Sequence, residues 1–383
     1  MRKSALCALG LAVAALAALG LVVLSSASEV RGAGYFHDPL HFVKRQAVYI
    51  CIGAFVAACA ATFDYRRWRD SPWTAWVFAA AVFAALLAVF FFPPIKGSHR
   101  WISAGPVSIQ PGEFAKIATV LLVAVWLDRA GWKVELFKTG VIGSGILIAL
   151  MAGPVLAEPD FGSVMVIGGA GLLVMFVAGV RLLHMLPFAA GGIALVAWKV
   201  AHNANRMDRL MAYIGRHGPD AAGGGAGDSA AYQAAMSLVA IGRGGVSGVG
   251  LSRSMQKQNY LPEAWTDFIF AVGAEEMGLV FSVATMLLYF IYFAISVYIA
   301  RKAADRFGRL LVVGMAFIVF FQAMFNIGVV CEAFPTKGMA LPFFSYGGTN
   351  MIASFFATGI ILSVGIHSLP DRRRDFMRKV VVN

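Results

Sequence analysis

The chain has 383 residues, of which 59% are hydrophobic and 14% charged, against about 45–50% and about 25% in ordinary soluble domains. A single soluble core cannot hide that apolar excess, so an ordinary soluble enzyme is excluded, and the mean hydropathy of +0.74 fits an integral membrane protein. The net charge of +12 would raise nucleic-acid binding in a soluble protein. No basic stretch here interleaves with exposed aromatics, so no nucleic-acid partner is expected. The excess reads as positive-inside bias and attraction to anionic membrane lipids.

Arg2-Lys3 and the apolar run after them imitate a secretory leader. The run from Ser4 to Leu24 outlasts the roughly 7–15-residue core of such a leader, which predicts a retained first membrane helix. Apolar runs near 4–26, 43–63, 73–93, 114–130 and 137–157 are followed by others near 162–180, 182–202, 268–300, 309–330 and 350–368. They predict an all-α, polytopic membrane protein of about ten spans, forming one membrane domain over 1–383. An even number of spans puts both termini on one face. With that face cytoplasmic, it collects Arg2, Lys3, Arg66, Arg67, Arg69, Arg129, Lys133, Lys138, Arg301, Lys302, Arg306, Arg309 and the tail from Arg372 to Lys379.

The long segments 94–113, 203–266 and 331–349 then lie outside. The second is a large extracytoplasmic loop with a glycine stretch at 223–227, expected to be mobile. Its later part, Tyr232 to Leu261, regains apolar periodicity suited to short interfacial helices. Cys7, Cys51, Cys59 and Cys331 show no metal or redox spacing and read as small hydrophobes.

Polar residues that interrupt the apolar pattern mark candidate sites, because ionisable groups are costly at membrane depth. They fall in four segments predicted to share one face. In the first, Arg100 suits either a lipid phosphate or a substrate phosphate. Pro111 opens a helix on which Glu113 and Lys116 stand three apart, the spacing of an ion pair at a helix start. In the second, Glu158-Pro159-Asp160 has the form of a helix stop followed by an N-cap.

The third segment runs from Ser254 to Ala271. Asp267 lies where the loop enters the membrane, four residues after Glu263. It could cap the helix, or serve as a general base whose pKa partial desolvation raises. Glu275 and Glu276 stand deeper in the same run and call for partners. The fourth segment, Pro335 to Asn350, carries Lys337-Gly338 and the loop Ser345-Tyr346-Gly347-Gly348 before a helix. That loop could be a packing element or an anion site built of backbone N–H groups.

At these segments the sequence resembles the SEDS proteins (shape, elongation, division and sporulation). The resemblance rests on Arg100-Trp101-Ile102, on Gln110-Pro111 with Glu113 and Lys116, and on Pro159-Asp160-Phe161-Gly162. It continues through Tyr260-Leu261-Pro262-Glu263-Ala264, Thr266-Asp267-Phe268-Ile269-Phe270-Ala271, and Leu341-Pro342 with Ser345-Tyr346-Gly347-Gly348. Lys337-Gly338 and Pro262-Glu263-Ala264 look more like the family's division members than its elongation members.

The resemblance implies a peptidoglycan glycosyltransferase of the bacterial inner membrane, placed at the septum. Its substrate would be lipid II and its leaving group undecaprenyl diphosphate, with Asp267 as general base. Arg100, Lys116, Lys337 and the Ser345–Gly348 loop are candidates for the diphosphate. Glu113 and Lys116 would shape the cavity electrostatically, and Glu263 and Tyr346 complete the candidate substrate contacts. The resemblance also implies a class B penicillin-binding protein (a transpeptidase) as partner, together with other division-complex membrane proteins. A divalent cation, Mg²⁺ or Mn²⁺, could ride on the diphosphate, although no ligand cluster in the sequence identifies one.

The chain departs from the family pattern at three places. Trp265 stands where His is usual, Gly112 where Ser is usual, and Thr349-Asn350 follow the Ser-Tyr-Gly-Gly loop. Two rival readings stay open, a lipid II flippase and a non-catalytic division scaffold. A flippase needs polar groups along a path through the bilayer, and only Glu275 and Glu276 lie deep enough to favour it.

Overall fold

The computed structural model describes residues 2–94, 98–104, 107–202, 207, 211, 213, 229–258, 260–335 and 337–368. The glycine stretch 223–227 and the basic tail from Arg372 lie outside the described residues.

The helices are, in order, α1 (Arg2–Ala27), α2 (Glu29–Phe36), α3 (His41–Thr62), α4 (Arg66–Asp70), α5 (Pro72–Ala88) and α6 (Pro111–Ala130). They continue as α7 (Ser144–Ala157), α8 (Phe161–Val177), α9 (Leu182–Ala201), α10 (Ser229–Gly244), α11 (Ile269–Arg301), α12 (Arg306–Val330) and α13 (Gly348–His367). Two short strands, β1 (Ile102–Ala104) and β2 (Val107–Ile109), pair antiparallel with Ile102 opposite Ile109.

Among the described residues, 8 helices are long and apolar enough to cross a membrane. Helix α8 is apolar but shorter, at 17 residues. Helix α6 is as long as a span, at 20 residues, and carries Glu113, Lys116, Asp128 and Arg129 among its apolar residues. With these two added, a helix lies over each of the ten apolar runs. The chain is a multi-pass membrane protein.

Local signals explain several helix starts. Pro111 and Pro72 open α6 and α5, where a missing N–H costs nothing. Asp160 caps α8 by accepting from the Ser163 amide, and Asp305 caps α12 by accepting from the Gly308 amide at 2.7 Å. Helices α6, α12 and α13 make the centre of the bundle, with Val120, Leu121, Leu311, Met315 and Ile361 fully buried. Helix α9 is peripheral and turns most of its apolar surface outward.

Helix α11 has 33 residues, about 50 Å at the ordinary rise, well beyond the roughly 30 Å of a bilayer core. It resolves the excess with a break at Gly278, where φ is 73° and ψ −163°. Segment 245–250 lies alongside the break: the Val249 and Gly250 amides donate to Glu275 and Glu276 carbonyls, and the Leu279 amide donates to Gly245. A Cβ at position 278 would press on the Val246 carbonyl and the Gly248 amide, so only glycine fits both the conformation and the space.

The two ends of the bundle differ in chemistry. At one end Asp305 accepts from Tyr65 Oη at 2.8 Å and from Arg66 Nε at 3.3 Å. There Arg306 also donates to the Gly131 and Ala178 carbonyls, and Arg129 to the Arg69 carbonyl. The opposite end gathers the four polar segments.

Candidate active site

The four segments meet through specific bonds. Arg100 donates to the Pro159 carbonyl at 2.7 Å and to the Glu158 carbonyl at 3.3 Å, which ties the first segment to the second. Gln110 Nε2 reaches Asp160 at 3.4 Å, and the Gln110 amide donates to Thr349 Oγ1 at 3.1 Å. Lys337 Nζ stands 3.8 Å from Asp160 Oδ1, which brings in the fourth segment. Ser345 Oγ donates to the Thr266 carbonyl at 2.6 Å, one residue before Asp267.

A buried polar network runs beneath this junction. Lys116 Nζ donates to Glu113 Oε1 at 2.6 Å and to Gln322 Oε1 at 2.9 Å. Asn350 donates to the other Glu113 oxygen at 2.9 Å. Gln322 Nε2 continues to the Ala340 carbonyl at 3.0 Å. One helical turn along α12, Asn326 Nδ2 donates to the Asp267 carbonyl at 2.8 Å and to the Met339 carbonyl at 2.5 Å. The loop 339–342 is thus fixed residue by residue, since the Leu341 amide donates to Ser345 Oγ and Tyr289 Oη donates to the Pro342 carbonyl.

Asp267 itself is half-buried at the end of a tight turn that leads into α11. Glu263 starts the turn in the left-handed region, with φ 56°. Its carbonyl accepts from the Thr266 amide and its carboxylate from Thr266 Oγ1 at 3.0 Å. The Asp267 carboxylate packs against Gly338, so closely that a Cβ there would overlap Oδ2. Trp265, which replaces the family's usual His, lies under the Arg31 guanidinium at 4.2 Å and beside Phe42. It therefore fastens the α1–α2 end of the chain to the Asp267 turn.

The Ser345–Gly348 loop is less open than an anion cradle would be. The Ser345 amide donates to Leu341, the Tyr346 amide to Trp265, and the Gly347 amide to Gln46 Oε1 at 3.4 Å. These three donors serve the fold, and the loop acts there as a splice between α3, the Asp267 turn and α13.

Glu275 and Glu276 have partners of a similar kind. Glu275 accepts from Ser254 Oγ and from the Met255 and Gln256 amides, with Arg243 at 3.6 Å. Glu276 accepts from Ser26 Oγ and from the Ser254 amide at 3.3 Å. Lys257 Nζ closes the group on Ser26 Oγ and on Glu29 at 3.0 Å. The two deep acids hold the loop before Asp267 in place.

Gln322, Asn326 and Gln46 lie outside the motifs that mark candidate residues in the sequence. The signal was present for the first two, amides one turn apart inside the apolar run 309–330. Among the described residues no group of three or more His, Cys, Asp or Glu side chains is placed to hold a metal ion.

Charge at the 158–160 turn is uneven. Burial pushes Asp160 up, but Lys337, Arg100 and the Ser163 hydrogen bond overcome it and hold the carboxyl below its ordinary value. Burial pushes Glu158 up to about 8; the Asp160 charge adds to this and Arg100 opposes it. Glu158 is therefore neutral in the folded protein near neutral pH. The folded state holds a proton that the unfolded chain releases above its ordinary value of 4.5. Stability must then fall as pH rises from there through about 8. Glu158→Gln cannot ionise, so thermal denaturation in detergent between about pH 6 and pH 9 should show a flatter pH dependence than wild type and a higher midpoint at the alkaline end.

Fold and site together define a multi-pass helical membrane protein with a converging polar site at one end of its bundle. The chain belongs to the cell cycle protein family of FtsW, RodA and SpoVE, whose model matches residues 7–369. It is 34% identical over 372 residues to a probable peptidoglycan glycosyltransferase FtsW of Trichlorobacter lovleyi, covering 95% of this chain and 94% of that one. It is 36% identical over 355 residues to the protein of the same description in Coxiella burnetii, covering 91% and 93%. Among solved structures it resembles a chain of a peptidoglycan synthase complex that coordinates polymerization and crosslinking, with TM-score 0.73, 25% identity and 95% and 98% coverage. It also resembles the rod shape determining protein RodA of Thermus thermophilus, with TM-score 0.69, 26% identity and 95% and 97% coverage.

Proposed function

We propose that this chain is a peptidoglycan glycosyltransferase that polymerises lipid II, with Asp267 as its general base. The observation that carries the reading is the placement of Asp267. Its carboxylate lies on Gly338, where the third polar segment meets the fourth, and its backbone is held from α12. Asp267 takes the proton from the acceptor's GlcNAc 4-hydroxyl as that oxygen attacks C1 of the donor's MurNAc. The C1–O bond to undecaprenyl diphosphate breaks in the same displacement, and the configuration inverts. Negative charge develops on the leaving diphosphate, and Lys337 with Arg100 supplies positive potential on that side of the site. Lys116 lies deeper, paired with Glu113, and acts through the cavity's field. Mg²⁺ or Mn²⁺ would arrive with the diphosphate of the substrate.

The site faces outward from the bacterial inner membrane, because the arginine-rich end of the bundle fits the cytoplasmic face. Both termini are then cytoplasmic, and the described part of 203–266 belongs to an extracytoplasmic loop. Similarity to FtsW proteins supports work at the division septum with other division-complex membrane proteins. A class B penicillin-binding protein would supply the crosslinking step, in keeping with the complex whose chain this one resembles.

The flippase alternative relied on Glu275 and Glu276 as steps along a polar path. Both Glu275 oxygens and Glu276 Oε1 accept from Ser26, Ser254 and the amides of residues 254–256, contacts that tie these acids to the fold and weaken that support. The test incubates purified protein and its transpeptidase partner with labelled lipid II and Mg²⁺ in vesicles. Glycan chains are the expected product. Movement of lipid II between leaflets without polymer would overturn the reading in favour of a transporter.

A further inference from the structure

We infer that Asn326 is a positioning residue for Asp267, acting through two backbone carbonyls from inside the bundle. This rests on the reading of Asp267 as the base. Asn326 is 1% exposed, within an otherwise apolar stretch of α12. Its Nδ2 hydrogens go to the Asp267 carbonyl at 2.8 Å and the Met339 carbonyl at 2.5 Å. Its Oδ1 is buried and has no hydrogen-bond partner among the described residues.

The amide gives both carbonyls a donor and leaves its own oxygen orphaned in an apolar interior. Its further effect is geometric. One carbonyl belongs to Asp267, so holding it fixes the peptide plane from which the carboxylate projects. The other belongs to Met339, next to Gly338, the surface against which the carboxylate lies. Asn326 therefore fixes both sides of the slot that holds the carboxylate, and it touches neither substrate nor reacting atoms. Gln322, one turn earlier, differs in that it joins Lys116 to Ala340.

The expected signature is a loss of turnover without a loss of substrate binding, since a slip of about 1 Å at a reacting group costs on the order of 100-fold. Asn326→Leu keeps about the volume and loses both donors, whereas Asn326→Ser keeps one donor. Each is purified with the full chain, checked for monodispersity and thermal midpoint, and assayed for lipid II polymerisation. We expect kcat per folded molecule to fall by about 30–100-fold in Asn326→Leu and by less in Asn326→Ser, with KM for lipid II within about twofold of wild type. If Asn326→Leu does not fold, Asn326→Ser decides. Wild-type kcat in either folded variant, or a change confined to KM, would overturn the inference. Asp267→Asn is assayed beside them. If it is inactive while folded Asn326 variants are fully active, only this inference fails; if it is active, the reading of Asp267 fails and this inference with it.

Discussion

Gly338→Ala is expected to reduce lipid II polymerisation by about 100-fold or more while leaving the protein folded. A Cβ at this position would overlap Asp267 Oδ2 and stand 3.2 Å from Asp267 Cγ. The obstructing group is the end of a side chain, which can swing aside at little cost to stability. The same swing takes the proposed base out of its place on the 337–341 loop. A structural glycine gives the opposite pattern. Gly278→Ala would meet backbone atoms at positive φ, so its damage would appear as misfolding rather than as a folded, slow enzyme. Comparing kcat with the thermal midpoint in detergent separates the two effects. Wild-type kcat in folded Gly338→Ala would mean that the carboxylate's position on Gly338 is irrelevant to the chemistry.

Lys116→Met carries the largest expected loss of stability, about 3–5 kcal/mol. Lys116 and Glu113 lie inside the bundle at 1% and 8% exposure. Removing the cation leaves the Glu113 carboxylate with the Asn350 amide as its side-chain donor and takes away the donor that Gln322 Oε1 accepts from. A buried charge without its partner keeps its full desolvation cost. Glu113→Gln with Lys116→Met removes both charges together, so the double variant should regain much of the stability lost by the single one. A double variant as unstable as Lys116→Met would show that packing, not charge, sets the cost. Thermal or denaturant unfolding of the purified variants gives the comparison.

Much of the site was legible in the sequence because its signals are local. Glu113 and Lys116 stand three apart on a helix opened by Pro111, and the ion pair forms. Asp160 has the spacing of an N-cap, and it caps α8. What the sequence could not disclose was which distant segments close on one another. Nothing near Arg100 foretells that it will hold the Glu158 and Pro159 carbonyls, and nothing near Asp160 foretells Lys337 beside it. The partners of Glu275 and Glu276 lie about 20 and 250 residues away in the chain, so the acids looked unexplained until the loop at 254–257 was seen around them.

Two features were legible but passed over. Gln322 and Asn326 recur at helical spacing inside an apolar run, where amides need a reason. The run at 268–300 is too long for one straight span, and it contains Gly278, where the helix breaks. Trp265 taught a different lesson. It departs from the family pattern with no role legible in the sequence, and the structure gives it an anchoring contact with Arg31.

The central claim is that Asp267 accepts the proton of the attacking hydroxyl. The most direct measurement is polymerisation of lipid II by purified wild type and Asp267→Asn, each with the transpeptidase partner and Mg²⁺, normalised to folded protein. Asn keeps the shape and the carbonyl contact to Asn326, but it cannot take the proton. The account predicts glycan chains from the wild type and none from folded Asp267→Asn. Equal polymer from both would contradict it.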